Sequence, residues 1–198
     1  MLAVLAERTV MNSSTVMSLH SGGVDAFVHE GQPGPRCDKC GWLTDSTWVS
    51  PAFKLPPHSP DVAVTYDGAY ILSEKFLVAV PEFEIFRPLP NDVGRYQMVP
   101  TQTVDWDEGA APLRREGFCN ECGLWQSVTT NGLFTYAIRS NDPGSIGIAK
   151  VSTELGWNDR RGAPIVINGG IAERLEQAGL TGLRLQQVMV FPALQSEG

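Results

Sequence analysis

The sequence predicts an α+β fold: one β-rich domain over residues 13–198, preceded by an N-terminal extension over residues 1–12. Three observations carry that expectation. Apolar residues come in short runs divided by Gly, Pro, Asn-Gly and Asp-Gly, as short strands joined by tight turns require. The best helix candidate spans residues 171–178, opened by Gly169-Gly170 and closed by Gly179 in the C-cap position. All four cysteines sit in two copies of one motif, Cys37-Asp38-Lys39-Cys40-Gly41 and Cys119-Asn120-Glu121-Cys122-Gly123. Trp42 and Trp125 follow these motifs almost at once.

Taken in order, residues 12–35 are polar and Gly-rich, with a candidate edge strand over 24–28. Pro51, Pro56, Pro57 and Pro60 exclude long elements from residues 43–60 and leave a short strand at 47–49. Val62, Val64 and Tyr66 alternate as in a strand, Asp67-Gly68 turns, and Tyr70, Ile71 and Leu72 form the next run. Ser73 and Glu74 read as the N-cap and first turn of a helix that Pro81 ends. Phe83, Ile85 and Leu89 suggest a strand, as do residues 96–99. After the second motif, residues 127–130 and 133–138 flank Asn131-Gly132, the strongest hairpin dipeptide. Residues 146–155 are ambiguous; 164–167 read as a buried strand, and Leu183, Leu185 and Val188 as the last one.

A weak internal echo accompanies the repeated motif. Gly68-Ala69-Tyr70-Ile71-Leu72, a helix, then Phe83 and Ile85 parallels Gly162-Ala163-Pro164-Ile165-Val166, a helix, then Leu183 and Leu185. Each unit lies downstream of one C-x-x-C-G, so the order motif, strand, helix, strand occurs twice. A duplicated fold would bring two knuckles to one metal.

Charge narrows the function classes. There are 22 acidic and 15 basic residues, a net charge of −7 and a pI near 4.9. That disfavours a general nucleic-acid binder, which needs a basic face, and favours a basic partner. No apolar run approaches the roughly 18 residues of a membrane span. Glu7 and Arg8 interrupt the mildly apolar start, so no signal peptide is expected. The expected compartment is the cytoplasm, where thiols stay reduced and C-x-x-C favours metal.

The first reading of Cys37, Cys40, Cys119 and Cys122 is one structural zinc ion. Two-residue spacing lets a tight turn aim both thiolates at one ion, and a glycine after the second cysteine accepts the positive φ of such knuckles. Four thiolates close a tetrahedron and leave no position for water, so the site holds structure. The segment between the pairs is far longer than in a compact zinc ribbon and must be an inserted fold. Redox work is the alternative, but Gly41 and Gly123 oppose the helix that a redox C-x-x-C opens. Disulfides or an iron centre are the other uses of four cysteines. Trp42 and Trp125 serve either as shields for the sulfurs or as ordinary core aromatics.

Other candidates are weaker. His20, His29 and His58 lie in polar segments without ligand spacing, and read as surface histidines. Asp105, Trp106, Asp107 and Glu108 form an acidic stretch expected on a loop, and are the candidate partner-binding residues. Arg114-Arg115 and Arg160-Arg161 read as basic pairs at loop ends. No phosphate loop, G-x-S-x-G or H-E-x-x-H motif occurs, and no nucleophile, base and orienter stand together, so no enzyme is expected.

The paired motifs resemble the double-CXXCG motif family of myxobacterial paralogues, some of which are immunity proteins against contact-delivered toxins. The C-terminal phrase from Ala172 through Ala178-Gly179-Leu180-Thr181-Gly182-Leu183, and Ile71-Leu72-Ser73-Glu74-Lys75-Phe76, are similar to that family; the likeness spans residues 37–188 in outline. It implies a non-enzymatic protein that neutralises a cognate toxin by binding it, with the four cysteines as metal ligands. The other binding class is a zinc-ribbon adaptor in transcription or RNA processing, which would need a basic, aromatic face.

Overall fold

The computed structural model describes residues 14–29, 34–130 and 136–193. The expected extension over 1–12 and the Asn131-Gly132 turn lie outside these residues. The first half contains β1 (Val16–Ser21), β2 (Val62–Val64), β3 (Tyr70–Ser73), helix α1 (Glu74–Ala79), β4 (Phe86–Pro88) and β5 (Arg95–Met98). Next come β6 (Gln102–Trp106), β7 (Leu113–Phe118), β8 (Trp125–Thr130), β9 (Ala137–Arg139) and β10 (Ile148–Val151). The chain continues through β11 (Leu155–Trp157), β12 (Arg160–Gly162), β13 (Ile165–Asn168), helix α2 (Gly169–Gln177), β14 (Leu183–Gln187) and β15 (Met189–Phe191). The domain is strand-rich with few helices.

The largest sheet has seven strands in the order β14-β1-β13-β10-β6-β9-β15. Its two outer strands are consecutive in sequence, separated by Val188 alone. One run of chain thus pairs with β1 through β14 and with β9 through β15, and closes the sheet into a barrel. Alternation of side chains sorts its residues. Val16, Val104, Trp106, Ile138, Ala149, Val151, Val166 and Val188 fill one buried cluster inside. Leu19, Ile148, Ile165 and Ile167 point outward to a second cluster with the helices.

The two strand–helix–strand units share a topology that sequence spacing does not reveal. β3 and β4 flank β5, both antiparallel to it, and β2 lies outside β3. β13 and β14 flank β1, both antiparallel to it, and β10 lies outside β13. Each unit is therefore split by a strand from elsewhere. In the first unit that strand follows directly; in the second it is the N-terminal β1. Helices α1 and α2 pack together in the shared core, with Phe76, Leu72, Val62, Ile171 and Leu175 among its buried side chains. The far face of the β2-β3-β5-β4 sheet is covered by the Pro-rich segment, where Val28, Phe53, Ile71 and Leu89 meet.

Several sequence expectations need correction. β1 falls in the polar segment 12–35, because its inward Ser18 is hydrogen-bonded to the Gln186 carbonyl of β14 and to His20. No strand forms at 24–28 or 47–49; residues 24–28 follow an isolated bridge from Gly23 to Val64. β8 and β9 exist as expected but do not pair: β8 joins β7 and β11, whereas β9 joins β6 and β15. Ser73 occupies the N-cap of α1, yet its hydroxyl donates to Asp61, 2.7 Å away, rather than accepting from the helix. Asn168 does cap α2, accepting from Ile171 N–H at 2.9 Å.

Candidate metal centre

Two turns of identical geometry present the cysteines. Cys37 N–H donates to the Trp42 carbonyl at 2.9 Å and Gly41 N–H to the Cys37 carbonyl at 2.8 Å. Cys119 N–H donates to the Leu124 carbonyl at 2.9 Å and Gly123 N–H to the Cys119 carbonyl at 2.8 Å. Gly41 and Gly123 take φ of 75° and 71°, the left-handed region where a side chain would strain the backbone. The bridge Arg36–Leu43 frames the first turn as the pair Phe118–Trp125 frames the second. The structural equivalents are therefore Trp42 with Leu124 and Leu43 with Trp125, so the two tryptophans do not play one role.

The turns meet, corresponding cysteine to corresponding cysteine. Cys37 Sγ lies 3.9 Å from Cys119 Sγ, and Cys40 Sγ lies 3.7 Å from Cys122 Sγ. All four sulfurs fall within 4.8 Å of one another, and none is in a disulfide. A tetrahedral ion with Zn–S bonds of about 2.3 Å needs sulfurs about 3.8 Å apart, so this set fits a metal ion. Neither motif opens a helix, which is the arrangement a redox pair would use.

Three of the thiols are shifted from their ordinary acidity. Backbone N–H groups of Cys122 and Glu121 draw the Cys119 thiol down to about 6. Burial pushes Cys40 up to about 12 and raises Cys122 as well. A bound cation would favour loss of the thiol protons.

The β11–β12 hairpin grips both turns. Buried Arg161 donates from Nε to the Asn158 carbonyl at 2.6 Å, and from its two terminal nitrogens to the Leu43 carbonyl at 3.1 Å and the Trp125 carbonyl at 3.4 Å. Those carbonyls belong to equivalent positions of the two turns. Asp159 accepts from Leu43 N–H at 2.9 Å and pairs with Arg36 at 2.6 Å, whose guanidinium also reaches the Gly41 carbonyl at 2.7 Å. Arg160 and Arg161 open β12 directly after the hairpin turn, at a loop end as their sequence suggests, and Arg161 is a positioning residue.

The acidic stretch is placed differently from its sequence reading. Asp105 and Trp106 lie on β6, not on a loop. Trp106 is buried in the barrel and donates from its indole N–H to the Ala111 carbonyl at 2.6 Å. Asp107 is 2% exposed, accepts from Gly109 and Ala110 N–H groups, and pairs with Arg139 at 2.8 Å. Glu108 is exposed and takes a two-point contact from Arg115 on β7, at 2.7 and 2.5 Å. Asp105 is exposed. Of the histidines, His20 sits on β1, and His29 lies beside buried Asp67, at 3.3 Å.

No protein-family model matches the chain, and no curated protein matches it. No helix among the described residues is long and apolar enough to cross a membrane.

Proposed function

We propose that this is a non-enzymatic immunity protein that neutralises a cognate bacterial toxin by direct binding in the cytoplasm. Cys37, Cys40, Cys119 and Cys122 would hold one structural zinc ion. A zinc ion there would cross-link the two turns and, through them, the two halves of the domain. The observation that carries the reading is the four-sulfur set, built from two equivalent turns with every sulfur directed inward. Such a set takes a metal for architecture and leaves the outer surface for recognition. The likeness to the double-CXXCG family supports the toxin as partner, and the net charge of −7 supports a basic face on it. With Trp106 and Asp107 engaged in packing, Asp105 and Glu108 are the parts of the acidic stretch open to a partner.

The test is co-expression with the product of the neighbouring open reading frame. Growth rescue and a stable complex are expected if that product is a toxin. Rescue should fail when Cys37→Ser removes a ligand. A toxin that kills equally with and without this protein, and fails to co-purify with it, would overturn the reading.

A further inference from the structure

A cavity of about 270 Å³ opens at one mouth of the barrel, where the two halves of the domain meet. Its walls include His20, Tyr66, Tyr136, Leu155, Arg160 and Pro164. Barrel mouths are a recurrent location for small-molecule sites. Three features of this one specify a ligand, and none involves the metal centre.

The first is Arg160, on the rim. Its guanidinium carbon lies 5.1 Å from the Phe27 ring centre and 6.0 Å from that of Trp157. It has no acidic partner among the described residues, whereas Arg36, Arg114, Arg115, Arg139 and Arg174 are all ion-paired. An arginine oriented by aromatic rings, with its N–H groups unpaired, is preformed for a carboxylate. The second is the wall. His20 stacks on Tyr136 with centroids 5.4 Å apart and planes 17° apart, a surface for a flat ring. The third is a proton count. Ser18 Oγ lies 3.1 Å from the Gln186 carbonyl and 2.8 Å from His20 Nε2; with its one proton directed to the carbonyl, it accepts from Nε2. In that tautomer His20 carries its proton on Nε2, and Nδ1 is an acceptor with no partner among the described residues.

We propose that this cavity binds a small planar aromatic carboxylate carrying a hydroxyl or amino donor. Arg160 holds the carboxylate, the His20–Tyr136 pair supports the ring, and His20 Nδ1 accepts from the donor.

The probe is 4-hydroxybenzoate, titrated into the full chain by calorimetry and followed by NMR at His20 and Tyr136. One-to-one binding is expected, weakened about tenfold or more by Arg160→Gln, the scale of one charge-assisted contact. On the unaltered protein, 4-hydroxybenzamide should bind about tenfold more weakly, which tests the carboxylate contact without any substitution. Benzoate, lacking the donor, should also bind more weakly. Arg114→Gln, on β7, should leave binding unchanged. No binding at millimolar concentration, or equal affinity for the acid and the amide, would overturn the proposal. So would undiminished binding by a folded Arg160→Gln protein.

Discussion

Gly68 and Gly162 meet backbone to backbone. A Cβ added to Gly68 would stand 2.8 Å from the Gly162 Cα, and one added to Gly162 would stand 2.7 Å from the Gly68 carbonyl oxygen. The two glycines hold the same place in the two units, just ahead of β3 and β13. With Cys37 against Cys119, Cys40 against Cys122, and α1 against α2, equivalent parts of the halves meet one another throughout the domain. Gly68→Ala and Gly162→Ala should each cost about 3 kcal/mol in chemical denaturation, because neither backbone can yield without parting the halves. Gly94, with φ of 76° but open space around it, is the control: its alanine variant should lose only about 1 kcal/mol.

Metal content is the direct check on the centre. The purified protein should contain close to one zinc per chain, and chelation should lower its melting temperature. Cys37→Ser and Cys119→Ser should be equally harmful, each on the order of 3 kcal/mol or more, since the two turns are equivalent. Full stability after complete metal removal would refute a structural role.

Arg161 should matter to the centre without touching it. Arg161→Met leaves the carbonyls of Leu43 and Trp125 without their buried donor, a loss of about 2 to 3 kcal/mol. A zinc-competition assay should also show weaker metal retention, because both turns lose their common anchor. Arg114→Met, on exposed β7, should change neither readout.

The acidic stretch should divide sharply under substitution. Asp107→Ala strands Arg139 and two backbone N–H groups, and should cost about 3 kcal/mol. Asp105→Asn should fall within about 0.5 kcal/mol of the parent, as exposed substitutions do. Thermal denaturation of the pair separates packing from surface charge.

Asp61 should give the domain an acid limb. Burial acts against its carboxylate, but hydrogen bonds from Thr181 N–H, the Ser73 hydroxyl and the Thr181 hydroxyl outweigh that and hold its pKa below the usual carboxylate range. A carboxyl held low when folded contributes stability above its unfolded value near ~3.9 and loses it as pH falls through the folded value. Asp61→Asn should flatten the stability profile in that acidic range and cost about 1 kcal/mol at neutral pH, a small figure because the site is largely exposed.

Much of this architecture was legible in the sequence, for local reasons. The spacing and trailing glycines of the cysteine motifs specify the turns, and the structure brings all four sulfurs together. Ser73-Glu74 and Gly169-Gly170 do stand at helix starts, although the Ser73 hydroxyl is drawn to Asp61 and the cap of α2 is Asn168. What remained hidden was non-local. β1 reads as a polar segment since Ser18 finds the Gln186 carbonyl, and His20 the Tyr136 ring, only once distant strands arrive. Asp107 looks like surface charge until Arg139 arrives from another strand. Asn131-Gly132 predicts a hairpin, but β8 pairs with β7 and β11 and β9 with β6 and β15, and the dipeptide alone does not choose between such partners.

The barrel's closing strand sets a schedule for folding. Ser18 is bonded to Gln186, 168 positions along the chain, and β1 has no strand to pair with until β13 and β14 exist. During synthesis β1 must therefore wait, outside any sheet, until β13 and β14 have emerged. The first split unit is complete by Met98, whereas the second is complete only once the C-terminal strands return to the N-terminus. Contacts of such long range are slow to form, so barrel closure is the expected last and slowest step of maturation. Until then, the inward face of β1 is open to capture by chaperones or by a neighbouring chain.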